Sequence, residues 1–229
     1  MPGTGASSSL VCGSLIGWLL LKGSLASGDC RNLIKTITSL PHSYEGSFEV
    51  ILNDRDMDIV ARNALLLLTA FWFDPETATP TIIHLWYSAF LPESILAALQ
   101  KKFLPMIRGI CAKIESKSST NLQRKTWSNG SRSLCLALRK ASWKTLLSHL
   151  RVPDGLAVAQ AKEIRAAVTL ALDRRDYLDR ALFRQPPGKR VAMILFREDG
   201  ILLPFGSSRA DFNSPNPCVY LAPVRTCYN

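Results

Sequence analysis

The stretch from Asp58 to Phe73 (DIVARNALLLLTAFWF) constrains the fold more than any other part of the chain, because as a helix it is apolar on nearly every side. Such a helix has no face to offer water and must be covered by other elements. Phe48 to Leu52 (FEVIL) is a short β-rich run halted by Asn53-Asp54, which predicts a strand just before it. Upstream, an apolar stretch ends near Gly28-Asp29, a glycine turn of the kind that closes a buried strand. A helix over Asn32 to Thr38 follows, stopped before Pro41. Strand, turn, helix, repeated twice, is the grammar of a parallel sheet flanked by helices.

From Pro92 onward, Ile95, Leu99, Phe103, Ile107, Ile110 and Ile114 recur three or four apart on one helical face, with Lys101, Arg108 and Lys113 off it. Pro92 suits a first-turn position and Pro105 should kink the helix. The polar segment Ser116 to Arg132 reads as an exposed loop. Ser142 could cap a short helix to Leu150, and another helix covers Leu156 to Leu182. Two apolar runs between Arg190 and Phe205 surround Glu198-Asp199-Gly200, a hairpin signal because Asp-Gly accepts the positive φ of tight turns. The expected fold class is α/β: a mostly parallel sheet with flanking helices and a C-terminal β-hairpin.

A length of 229 residues with 47% hydrophobic content suits one domain with a buried core. The net charge of +10 is concentrated: Lys101 to Arg151 holds twelve Lys/Arg against Glu115 alone, which accounts for the whole excess. With Trp127 and Trp143, this stretch could bind RNA or another polyanion by charge and stacking; the plainer alternative is a solvated helix face and loop. The six cysteines (Cys12, Cys30, Cys111, Cys135, Cys218, Cys227) include no C-x-x-C pair and read as reduced, mostly buried thiols.

Leu10 to Leu21 has signal-peptide length, and Ser24-Leu25-Ala26 imitates a cleavage site. No Lys or Arg precedes Lys22, so a cytoplasmic or nuclear location is expected, with secretion as the alternative. Only if the chain is secreted is Asn129-Gly130-Ser131 a glycosylation sequon. No run is long enough to span a bilayer, so no membrane association is expected.

Familiar catalytic signatures are missing: no Walker loop, no G-x-S-x-G elbow, no H-E-x-x-H. His42, His84 and His149 lie far apart, each better read as a surface or satisfied core residue than as a ligand. Asp54-x-Asp56-x-Asp58 opens like a calcium loop, yet Ile59 and Leu65 stand where that loop needs Gly and Glu. Hence no metal is expected, and a helix N-terminus explains these acids better. Two features belong together. Doubly wound sheets bind ligands at the carboxyl ends of their strands, with a glycine turn after the first and an acid after the second; Gly28-Asp29 and Asp54 occupy those places. One glycine where the dinucleotide fingerprint has three makes this a sparse signal, and the plain alternative is that Gly28 turns the chain and Asp54 caps a helix.

Five segments in order, GDCRNLIKTI, VILNDRDMDIVARNALLLL, HLWYSAF, LDRRDYLDR and FREDGILLPFGSSRADFNSPNP, resemble the domain of unknown function numbered 4470. That fungal family also occurs with MYND-type zinc fingers and at the N-terminus of dynein axonemal assembly factors. The resemblance runs from about Gly28 to Pro217 and implies a Rossmann-like, methyltransferase-like fold with no proven reaction. It places Gly28, Asp29 and Arg31 on the family's G-D-x-R turn, and Asp54, Ala61, Arg62 and Asn63 on its N-D…A-R-N segment. Here LIGWLLL is separated from that turn by KGSLAS, a departure from the family's unbroken strand. The expected organisation is an N-terminal segment 1–27, partly disordered or altered, one domain over 28–217, and a truncated tail 218–229. No MYND-type cysteine array is present.

The leading expectation is a non-catalytic interaction or assembly module with a protein partner. Its rival is a methyltransferase binding S-adenosylmethionine, with Gly28 and Asp29 near the methionine moiety, Asp54 on the ribose, and Arg31, Arg62 and Asn63 on the same edge. The third is polyanion or RNA binding through Lys101–Arg151. Arg62 could instead pair with Asp58 one helical turn earlier, and Trp86 and Tyr87 read as core aromatics.

Overall fold

The computed structural model describes residues 8–14, 21–26, 30–44, 46, 48–170 and 175–220, with side chains considered from Cys30 onward except at 175–178. The chain divides into two compact units, Met1–Phe73 with Met106–Leu147, and Asp74–Pro105 with Ser148–Asn229.

The first unit is built on one five-stranded sheet. Its strands are β1 (Ser8–Ser14), β2 (Leu21–Ala26), β3 (Phe48–Asp54), β5 (Leu122–Asn129) and β6 (Arg132–Arg139), in spatial order β2-β3-β1-β6-β5. Only β2 and β3 are parallel, in a register pairing Leu21 with Phe48 and Ala26 with Asn53. The β1–β3, β1–β6 and β5–β6 pairs are all antiparallel.

This corrects the expected fold class. The strand–helix–strand grammar is realised once, as β2, α1 (Arg31–Thr38) and β3. After β3 the chain enters α2 (Met57–Trp72), and among the described residues no third parallel strand follows; the sheet is completed by β1 and by the β5–β6 hairpin, all antiparallel to their neighbours. A mostly parallel, Rossmann-like, methyltransferase-like sheet is therefore not formed. α2 lies across β3, β1 and β6 and buries Val60, Ala61, Leu65, Leu66, Leu68 and Phe71, as an all-round apolar helix must. Asp56 caps it, its carboxylate accepting the Asp58 N–H at 2.9 Å.

A second correction concerns Ser116 to Arg132. Rather than one exposed loop, it contains β5, joined to β6 by Gly130-Ser131. Gly130 has φ +57° and no non-glycine residue among those described has positive φ, the sign pattern of a type II′ turn, whose twist matches the flanking strands. β6 is central and buries Leu134, Leu136, Ala137 and Leu138 on both faces, whereas β5 buries Trp127 alone because it is a sheet edge.

In the second unit, α3 (Pro75–Tyr87) precedes β4 (Phe90–Leu91), which leads into α4 (Glu93–Lys113). α4 contains Pro105 and continues into the first unit from Met106. α5 (Lys140–Ser148) follows the hairpin and belongs to the first unit up to Leu147; in the second unit α6 (Val158–Thr169), α7 (Arg175–Phe183) and α8 (Pro187–Asp199) come next. β7 (Ser214–Pro215) pairs antiparallel with β4, and α9 (Pro217–Tyr220) ends the described chain. Ala89, Phe90, Ala161, Ile201 and Phe212 form this unit's apolar centre.

The third correction is that no C-terminal β-hairpin forms. Residues 187–199 are helical, and Gly200, at φ +74° in the left-handed region, is the residue after the helix, its N–H bonding the Phe196 carbonyl at 2.9 Å. The Asp199 carboxylate accepts the Ile201 N–H at 2.8 Å and pairs with Arg209 at 2.6 Å. Positive φ at Gly200 was a sound expectation; the flanking segments use it to end a helix.

Candidate functional site

Of the residues expected at a ligand edge, Gly28 and Asp29 lie outside the described residues. The β2–β3 register sets the carboxyl ends of this parallel pair side by side at Ala26 and Asn53. Arg31 is the first residue of α1 and is exposed. Asp54, the last residue of β3, accepts the Asp56 N–H at 2.9 Å and so shapes the turn into α2. Arg62 and Asn63 are the sixth and seventh residues of α2, about 8–9 Å along the helix from its start at 1.5 Å per residue. They are thus more than one turn beyond the strand end that carries Asp54. Asn63 is 2% exposed, and its Oδ1 has no hydrogen-bond partner among the described residues. Without a doubly wound sheet, the frame that motivated S-adenosylmethionine at this edge is lost.

In the second unit, the segment HLWYSAF meets the end of NSPNP. Asn216 is fully buried, and its Nδ2 donates to the carbonyls of His84, Leu85 and Ser88 at 3.2, 3.1 and 2.7 Å. These include end-of-helix carbonyls of α3 that have no intrahelical partner. Asn216 Oδ1 accepts the Cys218 N–H at 3.0 Å. Ser88 Oγ accepts the Leu202 N–H at 3.1 Å and lies 3.0 Å from His84 Nδ1, to which it can give its own proton. Burial lowers the pKa of His84, favouring the neutral ring. A serine beside a histidine resembles a nucleophile with its base, but Ser88 is 0% exposed and offers no approach to a substrate. The cluster is a structural joint. Trp86 and Tyr87 are not core aromatics: they stack 5.2 Å apart at 15°, with Tyr87 exposed.

The basic segment makes a more open site, entirely within the first unit. One face of α4 and the edge strand β5 line a groove of about 390 Å3. Met106 and Ile110 on α4 and Ile114 just past its end, four residues apart, give it an apolar wall together with Trp127. Lys113, Lys117, Arg124 and Lys125 line it as well, all exposed, and no acid does. The one acid of this segment is committed elsewhere: Glu115 pairs with Lys144 at 3.3 Å and Lys140 at 3.4 Å, and these lysines hold its carboxyl below the ordinary range. Among the described residues, none of the four groove cations has an ion-pair partner.

The two tryptophans expected as stacking platforms are not available. Trp143 is 0% exposed and donates its indole N–H to the Gln123 carbonyl at 3.2 Å, while Trp127 is 8% exposed with the Lys125 ammonium 5.9 Å from its ring centre. The charge on this segment was visible in sequence, whereas its groove depends on β5 lying beside α4. A signal for β5 existed in Asn129-Gly130, a strong short-range hairpin marker.

Cys30, Cys111 and Cys218 are buried thiols and Cys135 is half-buried. Among the described residues, no group of three or more His, Cys, Asp or Glu side chains is placed to hold a metal, and no helix is long and apolar enough to cross a membrane.

No curated protein and no solved structure matches the chain. Residues 19–91 match the family described as Domain of unknown function (DUF4470), a span from β2 through β4 that includes GDCRNLIKTI, VILNDRDMDIVARNALLLL and HLWYSAF. Three of the ordered motifs lie inside the matched span, so the segment 19–91 is similar to this domain of unknown function.

Proposed function

We propose that the chain is an interaction module that holds an anionic partner in the groove between α4 and β5. The observation that carries this reading is the groove lining: four exposed cations, Lys113, Lys117, Arg124 and Lys125, beside an apolar wall, with no acid to neutralise them. Clustered like charges repel one another and raise the energy of the free protein, so an anion that settles among them is favoured twice, by attraction and by relief of repulsion. Binding also fits better than catalysis, because the closed Ser88–His84 pair gives no substrate access.

The test is binding of labelled polyglutamate to the full chain across a salt series. Affinity should fall steeply with salt, and the fourfold reversal Lys113→Glu, Lys117→Glu, Arg124→Glu and Lys125→Glu should abolish it while circular dichroism stays unchanged, since all four side chains are exposed. A flat salt response, or reversal without effect, removes the proposal.

A further inference from the structure

We infer that the partner is an acidic polypeptide segment in extended conformation, which adds to the outer edge of β5 as a sixth strand; this rests on the groove reading above and names the occupant.

Two independent features point the same way. The first is the backbone. β5 pairs with β6 without interruption from Leu122 to Asn129, and among the described residues no strand pairs with its other side. In a two-residue hairpin the closing pair, here Asn129 with Arg132, exchanges both hydrogen bonds, and bonded and non-bonded pairs then alternate. Trp127, Lys125 and Gln123 therefore bond inward to Leu134, Leu136 and Leu138, while Leu122, Arg124, Thr126 and Ser128 aim their N–H and C=O groups outward. Those four residues are also exposed. An eight-residue edge of this kind is a template for strand addition.

The second feature is charge. A strand laid on this edge alternates its side chains between two faces, and β5 itself presents Lys125 on one and Arg124 on the other, so an acid on either face meets a cation, with Lys113, Lys117 and the apolar wall of Met106, Ile110 and Ile114 lining the same groove. Single-stranded nucleic acid satisfies the charge but needs exposed rings for its bases, and Trp127 and Trp143 are buried. The bland account of the same cations is that they guard the edge against unwanted pairing.

The experiment uses the full chain and a labelled, capped octapeptide alternating glutamate with valine. It is compared with the same peptide N-methylated throughout, and with an oligouridylate of equal charge. N-methylation leaves every charge in place and removes the amide donors a strand needs, so affinity should drop about ten-fold or more. Thr126→Pro removes one outward N–H without touching the β6 ladder and should weaken the unmethylated peptide while leaving polyglutamate's salt dependence intact. Equal binding of both peptides overturns strand addition and leaves the anion groove standing. Stronger binding of the oligouridylate overturns the polypeptide assignment. Peptide binding that survives the fourfold charge reversal overturns the groove reading itself, and absence of any binding removes both.

Discussion

Two dipeptides of the same type, Asn129-Gly130 and Asp199-Gly200, do opposite work. Gly130 begins the turn of a hairpin, and Gly200 ends a helix, though both glycines have positive φ, +57° and +74°. The surroundings differ as much as the roles. A methyl group on Gly130 would meet nothing within 4 Å, whereas on Gly200 it would lie 2.6 Å from both Ala89 Cβ and Arg165 Nε. The Gly200 carbonyl in turn accepts the Ala89 N–H at 2.7 Å. One turn is local to its own strands; the other is a tertiary joint. In the first unit the hairpin ladder joins residues close in sequence, while the second unit is tied by polar bonds between residues far apart, such as Asn216 to Ser88.

The largest expected effect follows from that contrast. Gly200→Ala should cost about 3 kcal/mol, combining a left-handed backbone with a contact that neither Ala89 nor the buried Arg165 can easily vacate, and should be read as a fall in the urea midpoint. Close behind, Asn216→Ala should cost about 2–3 kcal/mol by removing the donor from the Leu85 and Ser88 carbonyls. If Asn216→Ala proved as mild as a surface substitution, the view of the second unit as held by long-range polar bonds would be wrong. Gly130→Ala should cost only about 1 kcal/mol, since strain at positive φ is its sole penalty. Equal losses at Gly130 and Gly200 would erase the distinction between a local and a tertiary turn.

The smallest effect is a pH dependence. Burial lowers the pKa of His84, so the unfolded chain takes up a proton that the folded chain resists. Stability from this group is complete above about pH 6.5 and declines as pH falls toward the depressed folded value. Denaturant midpoints at pH 7 and pH 5.5 should therefore diverge less in His84→Gln than in the unaltered chain; identical divergence would show that His84 does not titrate with folding.

Much of the fold was legible from periodicity. Arg31–Thr38, Phe48–Asp54, Met57–Trp72 and Glu93–Lys113 stand within two residues of their expected bounds. α3 carried a signature that went unread, Asp74 as a cap before Pro75, with the Asp74 side chain accepting the Thr77 N–H at 2.9 Å. The run Val191 to Phe196 was ambiguous for a physical reason: a short unbroken apolar stretch fits a buried strand or a helix equally well. The candidate site was half legible. Its charge could be counted along the chain, but the approach of Arg124 and Lys125 on β5 to Lys113 at the end of α4 and Lys117 just after it depends on pairing with β6.

The sequence by itself determined that residues 58–73 form a largely covered helix, that an amphipathic helix runs to about Lys113, and that glycine at 130 and 200 permits positive φ, because these depend on side-chain spacing and local sterics. Only the tertiary structure decided that the sheet is mainly antiparallel, that one glycine turn joins strands while the other closes a helix, and that four scattered cations share one groove. The reason is that a dihedral angle is set by neighbouring atoms, whereas strand partners and burial are set by what else in the chain can cover the same surface.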